Sequence, residues 1–328
     1  MAIGSGLGSQ VGFVNESVYG TFVAPTKFTR AKTYSANREQ ERPQGMGIAA
    51  GNLGALGAHF VETTTGGSGA MTFDLQSKGL GLLLQAITGG TSVSALTSTP
   101  AYTQTHTLGD NYGKSLTLQV GAPYRTGAAA SHTILGAKVT SAEFTCAVNE
   151  IAAATVNFDA KAFDDAQVLA TASYLSTNVF HGKQMDVKLG TYAAEASITG
   201  VTQWAQTWTR AMDTNDYTAG ASGLKSEPVL NGNYEITGSL TVDWLSKTTI
   251  QDLMIANTPK SLVVEFVGPV ITSTYYETLR FTLPSVYFSG DIQGVSGPDT
   301  LSNQWNYTWK YDGTNLPKIE LITTDSAL

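Results

Sequence analysis

The chain has 328 residues, of which only 14% are charged, and its 19 Lys and Arg against 26 Asp and Glu give a net charge of −7. This acidic balance argues against a protein that grips nucleic acid through the phosphates, because such proteins carry clustered basic residues. Low charge content together with 34 glycines favours strands joined by tight turns over a helical protein.

The N-terminal end shows neither a basic region nor a sustained apolar stretch, so no signal peptide is predicted. The longest apolar cluster, residues 80–87, is too short to cross a bilayer. The single cysteine, Cys146, excludes an intramolecular disulfide, and we expect it to be a small core or surface residue. The sequence therefore predicts a soluble protein that is made in the cytoplasm.

The first part of the chain combines an arm with strand patterns. Residues 1–27 are rich in glycine and polar residues, which predicts an extended N-terminal arm with little core of its own. A first strand is expected near 27–34, and a glycine-rich loop over 45–57. Strands over 58–65 and 70–76 flank Gly66-Gly67-Ser68-Gly69, a pattern that predicts a long β-hairpin.

After the hairpin the apolar period changes from two residues to about 3.6. Leu80, Leu83, Leu84 and Ile87 lie three and four residues apart, which predicts a short helix packed on a sheet, and Gly89 follows its end. The alternation of apolar and polar residues then predicts strands over 115–120, 137–147 and 151–163.

An internal repeat is the most informative feature of the sequence. Residues 69–78 align without gaps with residues 238–247, and five of the ten positions are identical. Each segment runs into a short helix and then into a strand that begins Lys-Ser-Leu, at Lys114 and at Lys260. The two Lys-Ser-Leu strands are separated by fewer residues than the two ten-residue segments are. The first copy therefore contains an extra loop, roughly 90–111.

Chance similarity between strands rich in threonine and glycine is the alternative to a duplication, but the same order of elements occurs twice. We therefore predict a mostly β protein with two tandem β-sandwich domains, 28–177 and 178–328, behind the arm of residues 1–27. Each domain would carry a short flanking helix and a long β-hairpin.

Residues 12–28, Gly-Phe-Val-Asn-Glu-Ser-Val-Tyr-Gly-Thr-Phe-Val-Ala-Pro-Thr-Lys-Phe, resemble the entry segment of siphovirus-type phage tail tube proteins. The Gly-Leu-Gly-Leu-Leu-Leu run at 79–84 and the strand at 136–144 resemble the same family. The resemblance implies a tail-tube-type β-sandwich in each domain and a structural protein of the virion tail. It implies stacked rings that form the hollow conduit for DNA ejection, without catalysis and without a cofactor.

The resemblance also implies partners. If six sandwich copies close a ring in this family, a chain with two copies needs three subunits, so trimeric pseudo-sixfold rings are favoured and hexameric rings are the alternative. The other implied partners are the tape measure protein, the tail terminator and genomic DNA that passes non-specifically through the lumen, with no membrane involved. An acidic wall would repel DNA and guide it without trapping it.

The predicted hairpin is the natural surface for contact between subunits, because exposed strand edges pair with neighbouring strands. The candidate contact residues are His59, Val61, Thr63, Thr65, Met71 and Phe73.

Sites of other kinds receive little support. The four histidines have no metal-binding spacing, and a single cysteine cannot contribute a pair to a zinc site. Asp164, Asp165 and Asp213 would suit a cation between strands, although solvated turn residues are the simpler interpretation. No acid–base constellation indicates an enzyme.

Aromatic residues alternate on two predicted strands. Trp204 and Trp208 share one face, as do Trp305, Tyr307 and Trp309. Core packing or subunit contact is the favoured interpretation, because large rings supply buried area at modest entropic cost. The alternative is the sugar-binding platform of a carbohydrate-binding, adhesin or tail-fibre module.

Overall fold

The computed structural model of the chain describes residues 5–45, 47, 53–97, 99–124, 128–272, 274–295, 297–298 and 300–328. Most of these residues lie in strands. In the first half of the chain the strands are β1 (Gln10–Asn15), β2 (Lys27–Thr29), β3 (Ala31–Glu41), β4 (Thr64–Asp74), β5 (Gly89–Ala95), β6 (Tyr102–Leu108), β7 (Leu116–Pro123), β8 (Ala129–Ala147), β9 (Ala153–Ala160) and β10 (Ala162–Phe163). In the second half they are β11 (Met185–Thr191), β12 (Ala194–Ser197), β13 (Val201–Met212), β14 (Leu230–Asp243), β15 (Lys260–Thr272), β16 (Tyr275–Ser289), β17 (Ser302–Trp309) and β18 (Lys318–Thr323).

Two short α-helices accompany the strands, α1 (Gly81–Thr88) and α2 (Gln251–Ile255). The prediction of α1 is confirmed, and its apolar stripe of Leu80, Leu83, Leu84 and Ile87 is buried. Within the described part of the chain, no helix has the length and apolar character needed to span a membrane.

The long strand β8 takes part in two layers of the molecule. Its first part pairs with β7 and β10, and its last ten residues, 138–147, pair with β9 on one side and with β13 on the other. The long strand β16 behaves similarly, since its first part pairs with β15 and β18 and its end pairs with β17. Both strands therefore pass from one layer to the other.

Eight strands form one continuous antiparallel sheet, which we call the long sheet. Its order is β3-β4-β9-β8-β13-β14-β17-β16. The second layer is built by two groups of strands, β2-β1-β7-β8-β10 and β12-β11-β15-β16-β18-β6-β5. The protein is thus mostly β, with two layers that share β8 and β16.

The core lies between these layers. Trp204 on the long sheet packs against Phe266 and Phe281 of the second layer, with ring centroids 5.7 and 5.1 Å apart. The indole N–H of Trp204 donates a hydrogen bond to the hydroxyl of Tyr307 over 3.0 Å. All five aromatic residues of the two alternating patterns are buried, so the prediction of core packing is confirmed for Trp204, Trp208, Trp305, Tyr307 and Trp309.

The predicted β-hairpin over 58–76 is wrong in position. Residues 64–74 form the single strand β4, which runs straight through Gly66-Gly67-Ser68-Gly69, and its hairpin partner is β3. The connection between the two strands spans 42–63. Of the glycine-rich loop predicted there, residues 46 and 48–52 lie outside the described residues.

The glycines of β4 serve close packing and not a turn. A Cβ on Gly66 would collide with the stem of Lys225, one on Gly67 with the ring of Phe163, and one on Gly69 with the ring of Phe158. Glycine is required because these side chains lie directly on the backbone of β4.

Two other expectations change. Residues 10–15, within the predicted arm, form β1, which pairs with β7 and buries Val11 and Phe13. The extra segment of the first copy, 90–111, is not an open loop, because β5 and β6 form a hairpin within it and β6 pairs with the C-terminal strand β18.

We predict that Gly69→Ala and Gly238→Ala each lower the free energy of unfolding by about 1–3 kcal/mol, through overpacking. Gly238 lies opposite Tyr307 just as Gly69 lies opposite Phe158, and each added methyl would meet that ring and a neighbouring carbonyl oxygen. Chemical denaturation measures the change. Gly57→Ala is the control, because nothing lies within 4 Å of its added Cβ; equal effects at all three positions would contradict the packing argument.

Candidate assembly surface

The long sheet has one apolar and one polar face, because successive side chains of a strand point to opposite sides. One row of mutually opposed residues crosses all eight strands on the polar face. In the order of the strands it consists of Thr33, Thr72, Thr155, Glu143, Thr207, Thr237, Thr308 and Tyr287. Six of these eight residues are threonines, and one is charged.

The neighbouring rows have the same character. On one side they contain Ser35, Ala70, Asn157, Ser141, Thr209 and Glu235, and on the other Asp74, Ala153, Thr145, Ala205, Ser239, Asn306 and Ser289. We call these three rows the polar face. Hydroxyls and amides dominate it, and its charges are the carboxylates of Glu143, Glu235 and Asp74, the last of which lies 2.5 Å from the ammonium of Lys32. None of the residues in these rows is a lysine or an arginine, so the rows themselves offer an anion no fixed positive charge to bind.

The long sheet ends in two open edges. Among the described residues, β3 pairs only with β4, and the last residues of β16, 287–289, pair only with β17. The free side of β3 carries backbone groups that only water or another strand can satisfy. Both edges are continuous with the polar face.

A salt-bridge cluster ties the two halves of the chain together beside this face. The connection between β13 and β14, residues 213–229, crosses the start of β4. Lys225 Nζ lies 2.6 Å from Asp159 Oδ1 and 3.0 Å from Glu39 Oε2. Burial raises the pKa of Asp159 to about 6, although the ammonium of Lys225 opposes the shift.

A second buried pair has the opposite polarity. Lys138 of β8 is almost fully buried, contacts the carboxylate of Glu227 on the same connection and donates to the carbonyl of Asn111 over 2.5 Å. Burial lowers the pKa of Lys138, since desolvation disfavours its charged form. Each half of the chain thus supplies one cation to these contacts, and the carboxylates that meet it come from the other half.

The structure separates the six contact residues predicted from the sequence. His59, Val61 and Thr63 are exposed on the connection before β4, and Thr65 is half-buried at the start of that strand. Met71 and Phe73 lie in the core, because β4 turns its odd-numbered side chains towards the second layer. These two side chains are therefore not available at the surface of the single chain.

The aspartates considered as cation ligands have local partners. Asp164 Oδ1 accepts the N–H of Ala166, and Asp213 Oδ1 accepts the N–H of Asn215. Asp165 Oδ1 lies 3.2 Å from His132 Nδ1.

Sequence reasoning missed the polar face and the salt bridges of Lys225. The signal for the face was present, since polar residues recur at alternate positions around Thr207, Thr237 and Thr308. No local pattern could have placed Lys225 beside Asp159, because the two lie in different halves of the chain.

A polar sheet face, open edges at both ends of that sheet and aromatic residues buried in the core favour a structural β protein over a carbohydrate-binding module, which would expose such rings. Comparison with known families specifies the class further. Residues 6–309 match the family model described as phage tail tube protein, and the chain belongs to this family. A search of curated proteins returned no match.

Membership of this family makes the chain a structural component of the virion tail, with self-assembly into a stacked tube. The function expected from residues 12–28 is thereby confirmed.

We predict that Lys225→Met lowers the free energy of unfolding by about 3–5 kcal/mol at pH 7, because the carboxylate of Asp159 is left buried without a partner. The pKa of a buried Asp159 lies above its unfolded value, so protonation stabilises the folded state as pH falls. The loss should therefore shrink between pH 7 and pH 5, as measured by denaturation at both values. Lys247→Met is the control, since Lys247 is exposed and 3.9 Å from Asp252; a loss independent of pH would contradict the role given to Asp159.

Proposed function

We propose that three copies of the chain close a pseudo-sixfold ring by pairing β3 of each copy with the end of β16 of the next. Stacked rings form the tail tube, and the polar face lines its lumen. The observation that carries this proposal is the pairing of β8 with β13 inside one chain, which supplies a template for the contact between chains.

The proposal rests on two tandem domains of the same design, 28–177 and 178–328. Three pairs of opposed residues in the first domain have counterparts in the second. Tyr34 and Met71 correspond to Trp204 and Leu240, Gly69 and Phe158 to Gly238 and Tyr307, and Ser141 and Asn157 to Ser289 and Asn306. By this correspondence β3 is the counterpart of β13, and the end of β8 is the counterpart of the end of β16.

The domains do not separate cleanly. The β5–β6 hairpin of the first domain completes the outer layer of the second through β18, and β1, from the N-terminal segment 1–27, contributes to the first sandwich. These shared strands support a chain that acts as one rigid two-domain unit.

Inside one chain, the end of β8 belongs to the first domain and β13 to the second, and seven residue pairs join them. The counterparts of these strands, the end of β16 and β3, are the two open edges. The same pairing between copies would satisfy both edges at once. A head-to-tail contact of this kind closes into a ring when the rotation between domains is constant.

The correspondence also predicts the register between copies. Thr207 lies opposite Glu143 within the chain, and the counterparts of these residues are Asn37 and Asp291. Residues 290–295 lie outside any strand in the single chain. We expect the neighbouring β3 to extend β16 through these residues.

The width of the resulting barrel favours three copies. Strands lie about 4.8 Å apart and tilt by about 40° in a closed barrel, so three copies of eight strands would close a barrel about 48 Å wide between backbones. Side chains about 5 Å deep would leave a bore of about 38 Å, which admits a DNA duplex. Six copies would roughly double the backbone diameter, to about 96 Å, and leave a wall too distant to guide the duplex.

The chemistry of the polar face suits DNA that moves. Glu143 and Glu235 repel phosphates, and threonine hydroxyls offer weak neutral contacts that repeat around the ring, so a duplex would pass non-specifically without a resting position. The tape measure protein within the lumen and a tail terminator at the end of the tube complete the proposed set of partners.

We predict that Ala36→Pro abolishes assembly while the single chain stays folded. Thr65 lies opposite Gln40 and donates its N–H away from β3, so Gln40 in turn points its N–H away from β4. The direction of the N–H repeats every two residues along a strand, so Ala36 also points its N–H to the free side of β3. Proline removes that donor from the edge. Circular dichroism and sedimentation velocity measure fold and assembly. Ala36→Thr keeps the N–H and should assemble; tubes of Ala36→Pro would refute pairing at this edge.

We predict that a chain with Asn37→Cys and Asp291→Cys forms disulfide-linked closed trimers when assembled tubes are oxidised. The two residues would form a close, non-hydrogen-bonded antiparallel pair, and native Cys146 is buried. Non-reducing gels measure the size of the linked species. Asn37→Cys with Ser289→Cys, out of register by two residues, should link poorly. Linked species that extend to six chains would contradict the trimer and favour hexameric rings.

A further inference from the structure

The start of β4 in the first domain, before Gly67, is covered by a segment of the second domain. β9 pairs with β4 only from Gly67 to Asp74. Before Gly67 the place beside β4 is taken by the connection 213–229, where Leu224 bridges Thr65 and the N–H of Thr65 donates to the carbonyl of Gly223 over 2.8 Å. The connection of one hairpin thus completes the sheet of the preceding domain.

The corresponding place in the second domain is an empty groove. β17 pairs with β14 from Thr237 to Asp243, and Tyr234 is the counterpart of Thr65. A groove of 660 Å³ lies there, between the start of β14 and the residues that follow β17. Its lining includes Leu108, Asn233, Tyr234, Trp309, Tyr311 and Leu316.

The groove is already shaped to receive a chain. The hydroxyl of Tyr234 donates to the carbonyl of Gly109 over 2.7 Å, which fixes its ring. The indole Nε1 of Trp309 is buried and has no acceptor among the described residues. Buried polar groups are normally satisfied, so the wall of the groove holds a hydrogen-bond donor that the described residues do not satisfy.

The counterpart of the connection 213–229 is the connection between β3 and β4, residues 42–63. Its described part exposes four apolar side chains, Leu53, Leu56, Phe60 and Val61. Such a cluster indicates a contact surface. In the proposed ring, β3 of one copy lies beside β16 of the next copy. The connection 42–63 follows β3, so it begins at the edge where the groove of that next copy opens.

We propose that residues 53–61 of one copy dock in the groove of the neighbouring copy, between Tyr234 and Leu316. This inference rests on the proposed ring, and it adds a second contact to the strand pairing. The apolar side chains of the segment cover Trp309 and Tyr311, as Leu224 and Lys225 cover the start of β4 within one chain. The acidic partners of Lys225 are not repeated, since Thr209 and Thr308 stand where Glu39 and Asp159 stand in the first domain.

Site-specific photo-crosslinking tests the contact. A full-length chain with Phe60 replaced by p-benzoyl-phenylalanine is co-assembled with an excess of isotope-labelled unmodified chain, so that tubes form around the probe. After irradiation, mass spectrometry should find the probe linked to residues 233–235 or 309–316 of a labelled chain. The link should be absent from unassembled protein. The reciprocal probe at Leu316 should link to residues 53–61, and a probe at the exposed Val168 should give neither link.

The outcomes separate the two proposals. Links from Phe60 to its own chain, or to a different surface such as that of a stacked ring, would overturn the docking site while the tubes themselves uphold the proposed function. Unmodified chain that forms no rings or tubes would overturn the proposed function instead, and docking with it.

Discussion

Backbone pairing between β8 and β13 is the interaction on which the rest of the structure depends. It joins strands from the two halves of the chain into one sheet of eight, and without it the polar face would be two separate four-stranded surfaces. The β6–β18 pairing and the salt bridges of Lys225 hold the same halves together at other points. Three independent attachments fix the angle between the halves, and a fixed angle is what a closed ring requires.

The same physics explains how a single chain limits unwanted pairing at its open edges. An open strand edge invites any other edge, and proteins limit this hazard with charged residues and irregular ends. β3 carries the charged residues Arg38 and Glu39, and β16 ends at Ser289, before Gly290, whose φ of 154° departs from the strand. Neither edge is a flat apolar template, which limits pairing with unrelated strand edges.

The sequence predicted what depends on local periodicity. Alternation located β8, β9, β13 and β17, the three- and four-residue spacing of Leu80 and Leu83 located α1, and the repeat suggested a common design for the two halves. The entry segment at 12–28 pointed to the tail tube family, which the match over 6–309 confirms.

The remaining features depend on contacts that are distant in sequence. Gly66 and Gly69 have the composition of a turn, yet their role is set by Lys225 and Phe158, which no local window contains. The segment 90–111 is a strand hairpin because β18, more than two hundred residues later, pairs with it. Net charge likewise could not place the carboxylates: the polar face carries Glu143, Glu235 and Asp74 and no lysine or arginine, within a chain whose net charge is −7.

A cryo-electron microscopy reconstruction of assembled tubes tests the central claim most directly, because it shows which strands meet between chains. We expect three chains per ring, a continuous inner sheet in which β3 of one chain lies antiparallel to the end of β16 of the next, and threonine side chains towards the lumen. A ring in which β3 faces solvent or an adjacent ring, or in which the polar face points outward, would contradict it.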